Sequence, residues 1–292
     1  MKNKHTNILV LGASGMLGKT VFIFLKNNYP KSVWGTSRNK KDKRKNLFFL
    51  ETSSLRTDFN KIVKKIKQID LVINCIALTK TDDNIENVIE INALFPHQVE
   101  KLAEKYGFKL IHVSTDAVFP IVSKRVSERS TPYAQGIYSA SKLLGELSGK
   151  NSITVRSSFL GSISKNKDSF FQKALKHKDI NGFIDQKWSG STTLQFAKFC
   201  YFLTKDKNFA TLRKVSSIYH FVPLSNTTRY EILSNLSKIK KDIKIKKRKS
   251  ENPITRILVS QYFDKNFYSS YTTNIQQALL ELFQFEKTTK ND

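Results

Sequence analysis

The stretch Asn7-Ile8-Leu9-Val10-Leu11-Gly12-Ala13-Ser14-Gly15-Met16-Leu17-Gly18 decides the fold. Its apolar run reads as a buried strand, and the residues from Lys19 to Asn28 read as a helix. Three glycines spaced three apart lie at the junction. Gly12 allows a tight turn, Gly15 lets backbone N–H groups approach a phosphate, and Gly18 lets helix and strand pack closely. A dinucleotide's pyrophosphate then sits at the positive end of the helix, with Ser14, Met16 and Leu17 beside it. The chain has 11 glycines in 292 residues. Random placement produces this register about 0.01 times, so chance is a poor explanation of it.

Working outward, the first half alternates strands and helices. Strand candidates are Ile8–Leu11, Ser32–Thr36, Leu47–Leu50, Leu71–Ile76, Lys109–Ser114 and Ile153–Arg156. Several are continuous apolar runs, as expected for a parallel sheet covered on both faces. Helix candidates are Gly15–Asn28, Asp58–Gln68, Ile85–Tyr106 and Tyr138–Gly149. The pattern predicts an α/β, Rossmann-type doubly wound sheet whose ligands bind at the carboxyl ends of the strands. Loops beginning at Gly12, Ala77, Thr115 and Ser157 fall there, and Cys75 and Ala77 are counted with the cofactor site. The remainder is less regular, with helix candidates Ser169–Lys176, Thr193–Leu203, Tyr230–Lys238 and Asn274–Phe283 and a strand candidate Ile218–Val222. The expected division is a nucleotide-binding domain over 1–157 plus about 190–222. A smaller, partly interleaved substrate part takes about 158–189 plus 223–292.

Composition narrows the function classes. Hydrophobic content of 39% supports a sizeable core. No apolar run approaches the roughly 20 residues that span a bilayer, so no membrane insertion is expected. Met1 to His5 lead directly into the first strand, leaving no room for a signal peptide. The two cysteines, Cys75 and Cys200, read as small core residues of a cytoplasmic protein. Cys and His show no metal-ligand spacing, so no metal is expected. The net charge of +26 is concentrated partly in Lys40–Lys45 and Lys238–Lys249. Nucleic-acid binding is the sharp reading of those blocks and solvated surface the plain one. No nucleic-acid fold accompanies them, so nucleic acid is not the expected partner. The second block partly alternates, as a strand with one wet face does.

Tyr138-Ser139-Ala140-Ser141-Lys142 places a phenol and an ammonium one helical turn apart. A phenol with a pKa of about 10 is a poor proton donor–acceptor at neutral pH, and a nearby ammonium lowers that value. Tyr201 and Lys205 share the spacing, but Tyr201 lies in an apolar helix and reads as core. The first pair opens a helix 23 residues after Thr115, at the end of the fifth strand. A hydroxyl there can hydrogen-bond a substrate carbonyl beside the tyrosine. Strand two runs Val33-Trp34-Gly35-Thr36 and ends in Ser37-Arg38. No carboxylate is read at that strand end to repel a 2′-phosphate, and Arg38 can pair with one. NADPH is therefore expected rather than NADH.

Together with Gly12–Gly18, several segments carry a family resemblance: Val72-Ile73-Asn74-Cys75-Ile76-Ala77, Glu90-Ile91-Asn92-Ala93, Ser114-Thr115-Asp116-Ala117-Val118-Phe119, Tyr138–Glu146, Val155–Gly161 and Trp188–Thr193. The chain resembles an extended short-chain dehydrogenase/reductase, and more narrowly the dTDP-4-dehydrorhamnose reductase (sugar-nucleotide-binding) family. The resemblance covers roughly 5–240. It implies an NAD(P)-dependent oxidoreductase acting on a nucleotide sugar in surface-polysaccharide precursor synthesis. Thr115 would hold the carbonyl oxygen, Tyr138 would protonate it, and Lys142 would lower the tyrosine pKa and bind the nicotinamide ribose. Asn92 would support the lysine. Arg156 would flank the nicotinamide. Asp116, Ser158 and Trp188 would face the substrate. Ile121, Val126, Arg129, Ser130 and Ser139 depart from the family pattern, so the sugar is left open. The expected activity is an NADPH-dependent reduction of a keto group on a nucleotide-activated sugar, with a non-catalytic NADP-binding regulatory subunit or a nucleotide-sugar epimerase or dehydratase as the alternatives. A homodimer is the expected assembly.

Overall fold

The computed structural model describes residues 6–42, 44–79, 84–121, 125–161, 174, 179–239, 243–253 and 255–289. In chain order the elements begin with β1 (Ile8–Leu11), α1 (Met16–Asn28), β2 (Val33–Ser37), β3 (Leu47–Phe49), α2 (Leu55–Ile66) and β4 (Leu71–Asn74). Next come α3 (Ile85–Ile89), a π-helical turn (Glu90–Leu94), α4 (Phe95–Tyr106), β5 (Lys109–Thr115), β6 (Arg125–Val126), α5 (Ile137–Leu144) and β7 (Ser152–Ser157). Then follow β8 (Phe159–Leu160), β9 (Asp179–Phe183), β10 (Lys187–Thr192), α6 (Thr193–Leu203), α7 (Asp206–Val215), β11 (Ile218–His220) and β12 (Leu224–Thr228). The chain closes with α8 (Arg229–Ile239), β13 (Lys244–Arg248), β14 (Thr255–Leu258), α9 (Lys265–Tyr268) and α10 (Ile275–Thr288).

Two compact units emerge. One comprises Met1–Thr115, Gln135–Val155 and Ala197–Tyr219, the other Asp116–Ala134, Arg156–Phe196 and His220–Asp292. These cuts differ from the division expected from the sequence. The segment after Thr115 groups with the second unit, where β6 pairs in parallel with β14.

The first unit is built on a seven-stranded sheet of order β11-β7-β5-β4-β1-β2-β3. β1 pairs in parallel with both β2 and β4, so the strand order reverses direction beside β1. A cleft opens at such a reversal, beyond the carboxyl ends of the strands. β1 and β4 are buried at every position, which is why β1 is apolar throughout and β4 is apolar up to Asn74 at its carboxyl end. Leu9, Leu11, Val72 and Leu110 of the sheet share one core with Phe59 and Ile62 of α2 and Val99 of α4. Each such side chain contributes roughly 1.5–3 kcal/mol by its burial.

Two helices depart from the expected bounds. The single helix read over 85–106 is interrupted by the π turn, which holds Asn92. The helix read over 138–149 stops at Leu144, and Gly145, which caps it, lies against the carbonyl of Asn92.

In the second unit, strands run in the order β12-β10-β14-β6, with β8 also on β10, and β13 pairs with β9. Leu160, Ile232, Leu236 and Leu279 form its apolar core. The lysine-rich block is not one strand from Lys238: α8 runs to Ile239, and β13 begins at Lys244. Lys240, Lys241 and Asp242 lie outside the described residues, as does most of the helix expected over 169–176. Lys43 of the first basic block does too. Among the described residues, no helix is long and apolar enough to cross a membrane.

Candidate active site

The glycine motif builds the first part of the site. Gly12 has φ +80, and its N–H donates to Thr36 Oγ1 at 3.0 Å. A side chain there is strained by the backbone alone. A Cβ on Gly18 would lie 2.2 Å from the Gly12 carbonyl oxygen, so only glycine lets α1 approach the turn this closely. Of the expected cofactor residues, Gly12, Ser14, Gly15, Ser37, Arg38, Cys75 and Ala77 line one cleft in the first unit. Met16, Leu17 and Gly18 form the first turn of α1, Leu17 and Gly18 buried within it. That turn carries no acidic residue, so the positive end of the helix dipole is not cancelled. Burial pushes the Cys75 thiol up to about 12, which keeps it protonated.

The loop after β2 corrects the sequence reading: a carboxylate, Asp42, does lie near the end of that strand, where the Ser37 side chain helps to hold its charge. Its charge is held by Arg44, whose Nε and Nη2 donate to Oδ1 and Oδ2 at 2.8 and 2.6 Å. Arg44 holds the Asp42 carboxyl at about 2. The Asp42–Arg44 pair thus stands near the strand end, and no local pattern announces it.

The second part of the site lies at β5 and α5. Thr115 is the last residue of β5 and is buried. Tyr138 and Lys142 stand one turn apart on α5. Lys142 is 2% exposed, and its Nζ donates to the Val113 carbonyl at 2.7 Å. Burial lowers its pKa to about 8, against the opposing pull of Glu146 and then Cys75. Ser114 Oγ donates to Glu146 Oε1 at 2.7 Å, tying the end of β5 to the chain just past α5. Ser139 donates to the carbonyls of Gln135 and Gly136, so this departure from the family pattern secures the start of the helix.

Asn92 sits beneath these residues, fully buried. Its Oδ1 accepts from the Leu78 N–H at 2.8 Å, and its Nδ2 donates to the Leu78 carbonyl at 2.9 Å and to Ser141 Oγ at 3.2 Å. It therefore ties the segment after β4 to α5. The sequence singled out neither Asn74 for a role nor His112 at all. Asn74 Nδ2 lies 3.2 Å from His112 Nδ1, and Lys142 Nζ lies 3.5 Å from His112 Nε2. A lone histidine inside an apolar strand was the available signal for the latter.

The remaining expected residues belong to the second unit. Asp116 opens a short 3-10 turn and is buried. Arg156 is buried with its guanidinium 5.0 Å from the Phe119 ring centroid and 3.5 Å from His220 Nε2. The Ser158 carbonyl accepts from the Ser191 N–H at 2.9 Å. Trp188 is half-buried against the apolar core of that unit, and its ring fills the space over Gly190. Val126 lies in β6 and Ile121 is exposed. Among the described residues no cluster of three His, Cys, Asp or Glu side chains could hold a metal.

Comparison with known proteins gives a consistent picture. A family model described as "RmlD substrate binding domain" matches residues 6–286. A stretch of 146 residues, 49% of this chain, is 31% identical to "Methionine adenosyltransferase 2 subunit beta" of Danio rerio and covers 43% of that protein. A stretch of 154 residues, 50% of this chain, is 29% identical to "dTDP-4-dehydrorhamnose reductase" of Mycobacterium tuberculosis and covers 46% of it. The matched stretches thus span less than half the length of these curated relatives. The crystal structure of dTDP-4-dehydrorhamnose reductase from Bacillus anthracis, in complex with NADP, superposes with a TM-score of 0.73 at 18% identity. That match covers 97% of this chain and 99% of that one, and at this identity it speaks for the fold alone.

Proposed function

We propose, from the premise that this chain belongs to the RmlD substrate binding domain family, that it reduces a keto group on a nucleotide-activated sugar with NADPH. One observation carries the reading: Tyr138 and Lys142 share a face of α5, and Lys142 is buried with its ammonium on the Val113 carbonyl, two residues before Thr115. A chain kept only for cofactor binding has no need of a phenol, a buried ammonium and a strand-end hydroxyl together. The pathway we propose is surface-polysaccharide precursor synthesis, and the proposed assembly is a homodimer.

The cleft fits the cofactor: a helix N-terminus free of acid lies beside the strand reversal, with Arg38 at its rim. Gly12, Ser14 and Gly15 would hold the pyrophosphate, Ser37 and Arg38 the adenosine ribose end, and Cys75 and Ala77 the wall opposite. NADPH, when bound, supplies the hydride for the keto carbon. Thr115 donates a hydrogen bond to the carbonyl oxygen and holds it beside Tyr138. Tyr138 gives its hydroxyl proton to that oxygen, so the product is an alcohol and the tyrosine a phenolate. Lys142 stabilises the phenolate by charge and binds the nicotinamide ribose. Asn92 fixes the helix that carries both. Arg156, Asp116, Ser158 and Trp188 are proposed to bind nicotinamide or sugar. Screening 4-keto-sugar nucleotides for NADPH oxidation tests the reading. Tight NADPH binding without turnover on any of them would leave a non-catalytic protein instead.

Cofactor preference gives a second test. Arg38 offers a charge-assisted pair to the 2′-phosphate, and Arg44 keeps the Asp42 charge occupied. NADPH is expected to bind more tightly than NADH in calorimetry. Arg38→Ala should narrow the gap by removing the cation. Arg44→Ala should narrow it too, by leaving the Asp42 carboxylate to repel the phosphate. Equal affinity of the wild-type protein for both cofactors would remove Arg38 from the site.

A further inference from the structure

Behind the catalytic helix, three buried polar side chains from three elements stand in a row: Asn74 at the end of β4, His112 in β5 and Lys142 on α5. Asn74 and His112 are wholly buried and Lys142 nearly so. Hydrogen-bond accounting fixes their protons. Asn74 Oδ1 accepts from the Ile76 N–H at 3.1 Å, so the other end of its amide, Nδ2, is the atom that meets His112 Nδ1 at 3.2 Å. An amide NH₂ only donates, so Nδ1 is the acceptor and carries no proton. Burial, with the charges of Lys142 and His97 adding to it, holds the His112 pKa well below the usual histidine range, so the ring is neutral. A neutral imidazole carries one proton, which must then be on Nε2. That atom faces Lys142 Nζ at 3.5 Å.

We infer that His112, locked by Asn74 in the tautomer protonated on Nε2, is a positioning residue that turns an N–H toward Lys142 and thereby helps set where that lysine loses its charge. The ammonium has a carbonyl on one side, Val113 O at 2.7 Å, and a donor on another. A donor facing a donor disfavours the charged form. The other groups that bear on Lys142 are Glu146 just past α5, Cys75 after β4 and, on its own helix, Tyr138. Burial is the largest influence on Lys142, and the Glu146 carboxylate opposes it. The histidine N–H acts in the same direction as burial. Lys142 is thus a group that titrates near working pH rather than a permanent cation. If the reductase reading holds, turnover falls as pH rises through about 8, where the ammonium is lost.

Two substitutions reverse the polarity of the row. His112→Gln can present a carbonyl oxygen where Nε2 stood. Asn74→Asp presents an acceptor to Nδ1, which moves the ring proton to Nδ1 and turns an Nε2 lone pair toward Lys142. Both should raise the Lys142 midpoint by about one pH unit or more. The experiment is NMR on the intact protein, with ¹⁵N-labelled histidine to read the tautomer and ¹³Cε-labelled lysine to follow Lys142, whose signal is assigned by its loss in Lys142→Arg. The expected result is a wild-type His112 protonated on Nε2 alone and a Lys142 midpoint near 8 that moves upward in either variant. A proton on Nδ1 in the wild type overturns the inference, even if neither variant folds. So does a midpoint that stays in place in folded variants. No substrate is needed, so a failed search for turnover leaves this result standing.

Discussion

Tyr138→Phe should lower turnover of a keto-sugar nucleotide by roughly 10²–10⁴-fold, the range expected when a positioned general acid is lost. The ring and its packing on α5 are retained, and only the hydroxyl goes. NADPH affinity should therefore change little, because the residues proposed to hold the phosphates, around Gly12 and Arg38, line a cleft that Tyr138 does not line. Lys142→Ala should damage both rate and affinity, since the ammonium is proposed to serve the tyrosine and the ribose. It also leaves the Val113 carbonyl without the donor that now reaches it at 2.7 Å. The two variants thus separate proton donation from cofactor binding. Single-turnover rates and calorimetry on the same preparations make the comparison. If Tyr138→Phe turns over as the wild type does, the phenol is not the acid.

Gly145→Ala should be the most damaging small substitution near the site. A Cβ at this position would lie 2.0 Å from the Asn92 carbonyl oxygen and 3.0 Å from its carbonyl carbon. Both obstacles are backbone atoms of the π turn, so no side chain can swing aside. Relief requires α5 to move away from that turn, breaking the bond from Asn92 Nδ2 to Ser141 Oγ at 3.2 Å. Overpacking of this kind costs about 1–3 kcal/mol, and backbone obstacles place it at the upper end. For a domain of this size each kcal/mol lowers Tm by roughly 2–4 °C. Turnover should fall further than stability alone requires, because Tyr138 and Lys142 ride on the displaced helix. Thermal melts with kinetics below the melt check both parts. An alanine variant that melts within a degree of wild type would show that the contact yields freely.

The proposed catalytic pair and the glycine turn could be read from the sequence because each is a local arrangement. Gly12, Gly15 and Gly18 act within one strand–turn–helix, and Tyr138 and Lys142 within one helical turn. Period and spacing report such arrangements directly. The parallel sheet followed in the same way, since β1 and β4 are buried on both faces and their sequences are apolar up to Asn74 at the end of β4. The second unit was harder to read. β6 and β8 are two residues each, too short for any periodicity, and are strands only because β14 and β10 pair with them. Trp188 carried a family signal, yet its half-buried ring against Gly190 and the neighbouring apolar core is a packing fact that spacing does not contain.

The sequence by itself determined the glycine turn after β1, the parallel core and the placing of Tyr138 and Lys142 on one helix face, because backbone sterics and hydrophobic period act over a few neighbouring residues. Tertiary structure alone decided how those residues are tuned. It set Asn74 against His112, 38 residues away, and both behind Lys142. It also folded Asp42 back to Ser37 under the guard of Arg44 and bent the asparagine helix into a π turn against Gly145. Hydrogen bonds and charge interactions depend on distance in space and on exclusion of water, and neither is fixed until distant strands and helices have packed.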